Sequence, residues 1–331
     1  MQKREENELS QAFTAYNTRI ITKPGGSMIP TAPIKKNILL VAFALGLLIP
    51  VVVIFIRENM NTRVRGRKDL DDLSVPFIGE IPLAICGKKK VKSHEAHTIV
   101  VKEGSRDIMN EAFRVLRTNL EFMIGKDRSS NVIVITSFNP GSGKSFLTMN
   151  IAMSLAIKNK KVLVIDGDLR HASASAYIHS PEVGLSNYLG GQVDELSDII
   201  VTDKQHPSFS FIPVGTIPPN PTELLFNDRL QDAIHTLKQQ YDVVLIDCPP
   251  VELVADTQII EQWADRTVFV VRAGLLERSM LPELENIYRE KKYKNMSVIL
   301  NGTEGAGGRY GYRYGYRYGY GSGSYYGSSS K

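Results

Sequence analysis

The segment that most narrows the possible folds is Val132–Ser145, a run of β-branched residues followed at once by SFNPGSGKS and then by a helical pattern. A strand that turns through glycines into a helix start is the seed of a βα unit. Such units build parallel sheets covered by helices. Within the turn, Gly141 and Gly143 free the backbone to curl its N–H groups around phosphate oxygens, and the helix start adds a favourable dipole. The predicted nucleotide-binding stretch is Asn139, Pro140, Gly141, Ser142, Gly143, Lys144, Ser145 and Phe146. In the pattern G-x-x-x-x-G-K-[ST], Lys144 reaches the β- and γ-phosphates and the Ser145 hydroxyl joins Mg²⁺. Phe138 stands where that pattern has its first glycine.

Apolar runs then alternate with helical stretches. The pattern predicts strands near Val132–Thr136, Val162–Asp166, Phe209–Pro213, Val243–Asp247, Thr267–Arg272 and Ser297–Leu300. Helices are predicted near Lys144–Lys158, Thr222–Gln239, Thr257–Ala264 and Arg278–Lys291. This alternation implies an α/β fold with a doubly wound parallel sheet, whose ligands bind at the carboxyl ends of the strands. Two acidic motifs fall at such ends. VIDGDLR (Val164–Arg170) puts Asp166 and Asp168 past a strand, and VVLIDCPP (Val243–Pro250) closes a strand with Asp247. An isolated Asp-x-Asp reads as a cap or a surface pair. Beside a phosphate loop it suits metal binding by one carboxylate and proton acceptance by another.

Upstream, Ser105 is the expected cap of a helix to about Ile124, with Met109, Phe113, Leu116, Leu120 and Met123 as its apolar stripe. Glu111, Arg114 and Arg117 lie off that stripe and read, by spacing alone, as a solvated face with an i,i+3 ion pair. Ile38–Ile56 is 19 residues without a charge, long enough to span the hydrocarbon of a bilayer. It follows 37 mostly polar residues, unlike a signal peptide. Arg57, Arg63, Arg65, Arg67 and Lys68 follow the run, which predicts a cytoplasmic C-terminal side. Residues 57–104 read as a juxtamembrane connector carrying Lys88–Lys90. The end of the chain holds Tyr310, Tyr312, Tyr314, Tyr316, Tyr318, Tyr320, Tyr325 and Tyr326 among Gly, Arg and Ser, a composition that cannot build a core. It also fits a low-complexity segment or an RNA-contacting Arg/Tyr/Gly stretch. A net charge of only +5, not gathered into one patch, argues against nucleic acid as the partner. Two isolated cysteines, Cys86 and Cys248, exclude a disulfide framework and a zinc site.

The deviant loop SxxPGxGKS, the motifs VIDGDLR and VLIDCPP, the spacing Glu111-x-x-Arg114-x-x-Arg117, the segment PPNPTELL (Pro218–Leu225) and the tyrosine-rich end together resemble the bacterial tyrosine kinases. The likeness covers roughly residues 60 to 331. It implies a P-loop NTPase fold of the MinD/ParA type, in which ordinary relatives carry a second lysine where this chain has Asn139. It further implies ATP and Mg²⁺ as cofactors, with Lys144 and Ser145 on ATP·Mg²⁺ and Asp166 and Asp247 organising the metal. Asp168 or Asp166 would take the tyrosyl proton. The phosphoacceptors would be the eight C-terminal tyrosines, phosphorylated in trans within a homo-oligomeric ring whose contacts involve Glu111, Arg114 and Arg117.

By the same resemblance, residues 1–37 are an extracytoplasmic remnant of a polysaccharide co-polymerase module, and 38–56 are a single transmembrane helix. Residues 105–303 are the cytoplasmic kinase domain and 304–331 a flexible tyrosine cluster. The family places the second of two membrane helices here, so most of the outer module is expected to be missing. The implied setting is the bacterial inner membrane. The implied partners are membrane lipid, a phosphotyrosine phosphatase and the polysaccharide export and polymerisation machinery. Without tyrosine transfer, the same motifs would serve a MinD/ParA-like membrane ATPase or a nucleotide-gated scaffold.

Overall fold

The computed structural model describes residues 2–15, 26, 34–59, 61–83, 97–125, 132–251 and 255–304. The chain divides into two units, Met1–Asn61 and Thr62–Lys331. The first unit contains α1 (Gln2–Ala15) and α2 (Lys35–Asn59). Helix α2 continues through Gly46 and Pro50, and its side chains from Ile38 to Ile56 are exposed. Its stretch Lys35–Ile56 is long and apolar enough to cross a membrane by length and composition, and none of it is buried as a core helix would be.

The second unit is built on one eight-stranded sheet. In chain order its elements are β1 (Phe77–Pro82), α3 (Ile108–Ile124), β2 (Val132–Thr136), α4 (Lys144–Ala156), β3 (Val162–Asp166), α5 (Leu185–Leu189), β4 (Val201–Thr202), β5 (Phe209–Ile212), α6 (Pro221–Leu225), α7 (Asp228–Gln240), β6 (Val243–Asp247), α8 (Asp256–Glu261), β7 (Arg266–Arg272), α9 (Leu281–Arg289) and β8 (Ser297–Thr303). The strand order is β1-β8-β7-β2-β6-β3-β5-β4. All neighbours run parallel except the short β4, which pairs antiparallel with β5.

Each central strand buries both faces, which is why these segments read as unbroken apolar runs. Ile133 and Ile135, Val162 and Val164, Val243 and Leu245, and Val268 and Val270 point into one core, shared with Phe113, Leu116 and Leu120 of α3 and with α4. Their alternates Val132 and Val134, Leu163 and Ile165, and Val244 and Ile246 face a second core under α7 and α8. Phe269 and Val271 face a third, with Leu281, Leu284 and Ile287 of α9. Each fully buried aliphatic or aromatic side chain contributes about 1.5–3 kcal/mol.

Three expectations change. Phe77–Pro82, read as part of a connector, is the edge strand β1, paired in parallel with β8. The expected helix Thr222–Gln239 is two helices, because Asn227 takes an extended backbone and its side chain accepts from Arg229 N to cap α7. Helix α3 is capped by Asp107, which accepts from Asn110 N. Ser105 instead donates its hydroxyl to Asp107. The strand β4 had no counterpart in the sequence pattern.

Candidate active site

Strand β2 delivers the chain into the turn 137–143, and Gly143 (φ +88°) caps α4 in the left-handed region that favours glycine. Two hydroxyls close the turn on one carbonyl: Ser137 Oγ and Ser142 Oγ donate to Asn139 O at 2.8 and 2.7 Å. From β8, the buried Asn301 donates its Nδ2 to Ser142 O at 2.8 Å, tying the loop to a strand two places across the sheet. Phe138, the departure from the glycine pattern, is buried against Phe269 with ring centroids 4.8 Å apart. The first position of this loop is therefore a core anchor. Phe146 likewise turns its ring toward Phe113 of α3.

Asp247 ends β6, directly beside the loop strand, and Asp166 ends β3 in register with it. Adjacent strands lie roughly 4.8 Å apart, so two carboxylates meet at the mouth of the loop. Ser145 Oγ donates to Asp247 Oδ2 at 2.5 Å, and Thr148 Oγ1 lies 3.4 Å from Oδ1. Asp166 Oδ2 accepts both the N–H and the hydroxyl of Ser175 at 2.7 Å, and its Oδ1 accepts Asp168 N. Asp168 Oδ1 accepts the N–H groups of Arg170 and His171 and faces His171 Nδ1 at 3.3 Å. Among the described residues nothing donates to Asp168 Oδ2.

Burial, and next the Asp247 charge, push the Asp166 carboxyl up to about 8. Burial pushes Asp247 up to about 6, opposed by the Ser145 hydroxyl and the Lys144 charge. A buried pair of carboxylates on neighbouring strands is a pre-set demand for positive charge. Among the described residues no three acids, imidazoles or thiols are disposed to hold a metal alone. The set Ser145, Asp247 and Asp166 nevertheless offers hard oxygens and leaves positions for phosphate and water, the donors Mg²⁺ favours. Cys248, fully buried, has its thiol raised by burial and by the neighbouring carboxylates, so it is not a nucleophile here.

The predicted loop residues, Lys144 and the three aspartates thus come together at the carboxyl end of the sheet. The triad of α3 does not stay together. Glu111 and Arg114 pair on the surface at 2.9 Å, whereas Arg117 turns inward and donates to Ser154 O in the last turns of α4. The expectation of one solvated face fails because Arg117 lies against α4 and completes its carbonyl end. The eight C-terminal tyrosines lie outside the described residues, as do Lys88–Lys90 and Cys86.

Sequence reasoning passed over Asn301 and Ser175, which hold the loop and Asp166. It also missed the clasp in which Arg170 meets the buried Asp256 at 3.0 Å and Thr222 at 2.8 Å. An asparagine closing the apolar run Val298–Leu300 was the one available signal, parallel to the aspartates that close other strands.

Residues 130–297 match the family described as AAA domain. The tyrosine-protein kinase wzc of Salmonella typhimurium is 30% identical, over 91% of this chain and 43% of its own length. The tyrosine-protein kinase etk of Escherichia coli is also 30% identical, over 83% of this chain and 39% of its own. The chain spans less than half the length of the curated relatives it matches. Among solved structures, the kinase domain of Escherichia coli tyrosine kinase ETK superposes with a TM-score of 0.65 at 29% identity, covering 78% of this chain and all of that domain. The BceF tyrosine kinase domain has a TM-score of 0.62 at 34% identity, covering 72% of this chain and 99% of that domain.

Proposed function

Because this chain belongs to the AAA-domain proteins and, among them, to the bacterial tyrosine kinases, we propose that it transfers the γ-phosphate of ATP to tyrosines of its own C-terminal segment. The observation that carries the reading is the convergence of Ser145 on Asp247, with Asp166 in register beside it, at the start of the glycine-loop helix. The loop N–H groups and Lys144 hold the phosphates, and the α4 dipole favours their charge. Ser145, Asp247 and Asp166 would hold Mg²⁺, which when bound neutralises charge on the transferring group.

Asp168 is the preferred base. Both oxygens of Asp166 are engaged, whereas Asp168 keeps one oxygen without a donor among the described residues. In the step itself the tyrosyl oxygen bonds to the γ-phosphorus and the bond from that phosphorus to the β-phosphate bridge breaks. The phenolic proton passes to Asp168, and ADP leaves.

The further reading is of a kinase anchored by α2 in the bacterial inner membrane, its second unit cytoplasmic, acting in trans within a ring that regulates capsule or exopolysaccharide synthesis. The exposed Glu111–Arg114 pair supports a role for α3 in contacts between copies. The test incubates the full chain with Mg·ATP beside Lys144→Met and a form ending at Gly308. Phosphotyrosine signal in the first and in neither variant is expected. Hydrolysis of ATP without any such signal would leave a membrane ATPase instead.

A further inference from the structure

We propose that Arg272 is a further ligand of the bound nucleotide, holding its α-phosphate on the side of the loop away from the aspartates. The inference rests on the nucleotide-binding reading above and adds a residue to it. The strand order gives the site a direction. β6 and β3, ending in Asp247 and Asp166, lie on one side of β2; β7 and β8, ending in Arg272 and near Asn301, lie on the other. A nucleoside triphosphate is itself directional. Its γ end belongs with the metal-binding acids, so its α end runs across the loop toward β7 and β8.

Arg272 is the last residue of β7 and is partly buried. A Cβ built on Gly143 of the phosphate loop would lie 3.3 Å from Arg272 Nη1. A Cβ on Gly302 would lie 3.4 Å from Cζ and 3.6 Å from both Nε and Nη2, so the guanidinium lies flat on Gly302. Both glycines have positive φ, +88° and +74°. Gly143 makes room first for the Asn301 amide, the nearest group to a Cβ built there, and the Arg272 guanidinium packs beside it over Gly302.

Among the described residues this guanidinium makes no hydrogen bond and no ion pair. By contrast Arg114, Arg170, Arg229, Arg278 and Arg289 each have a carboxylate. Asn301 is already committed to Ser142 O, and the Lys144 charge is felt by Asp247 on the acid side. Among the described residues of β7 and β8, Arg272 is the cation that borders the loop on the α side. Its fork of donors matches phosphate oxygens two at a time.

The test uses the full chain in detergent, with binding of Mg·ADP and Mg·ATP read by a fluorescent nucleotide. Arg272→Gln should weaken both nucleotides by about tenfold, the loss expected for one charge-assisted hydrogen bond. The KM for ATP should rise accordingly, with the smaller effect on kcat, and Arg272→Lys should recover part of the affinity. Without nucleotide, the melting temperature of Arg272→Gln should match wild type, and only the rise on adding Mg·ADP should shrink. Nucleotide affinity within twofold of wild type in Arg272→Gln overturns the assignment, as does a lowered melting temperature without nucleotide. Wild-type chain that binds no nucleotide removes the underlying reading as well; wild type that binds beside an equally binding Arg272→Gln removes this assignment alone.

Discussion

Burial of Asp166 and Asp247 ties the stability of the nucleotide-free protein to pH. Both carboxyls are raised in the folded protein, so between about 4 and about 8 the native state holds protons that the unfolded chain has released. Stability of the nucleotide-free protein should therefore fall as pH rises through that window. Scanning fluorimetry from pH 5 to pH 8 should record a declining melting temperature, flattened by Mg·ADP and by Asp166→Asn. Phe138 supports a second residue-scale prediction. Restoring the motif with Phe138→Gly should cost about 4 kcal/mol by urea unfolding, as loss of a buried aromatic does, and should not tighten nucleotide binding. The placing of the loop and the aspartates at one end of the sheet was legible because each follows or closes an apolar strand run. Asn301 and Ser142 are 159 residues apart, and the inward turn of Arg117 depends on where α4 packs; spacing along one helix carries neither.

Among the elements, β2, β3 and β6 could be bounded to the residue from sequence, since burial on both faces leaves an unbroken apolar run ending at a polar residue. β1 could not, because FIGEIP carries a glycine, a charge and a proline, features tolerated at a sheet edge and misleading elsewhere. Yet β1 is integral: Ile78 and Ile81 are buried, and Asn119 of α3 donates to Ile78 O at 2.6 Å. A piece beginning at residue 105 should accordingly fail to fold cooperatively, while one beginning at Thr62 should give a single sharp urea transition. Ile81→Ala should destabilise the latter by roughly 2–5 kcal/mol. At the start of α3, Asp107→Ala should cost about 1 kcal/mol by the same measurement, the usual loss of a helix cap.

For the molecule as a whole, transfer between copies can be separated from transfer within one. Mixing Lys144→Met chains, which keep their tyrosines, with active chains ending at Gly308 should place phosphotyrosine on the inactive partner, read by immunoblot. The layout of the sheet sets the terms of that competition. β1 and β8 run side by side in parallel, with Leu83 N donating to Thr303 O, so the chain beyond Glu304 starts from the same rim as the loop and the aspartates. Three inter-strand steps separate β8 from β6, on the order of 14 Å. Covalent reach from Glu304 is at most about 20 Å for Tyr310 and roughly 75 Å for Tyr326. If the C-terminal tyrosines are the acceptors, chain length alone lets Tyr310 meet the aspartates of its own copy and gives Tyr326 enough length to meet those of another.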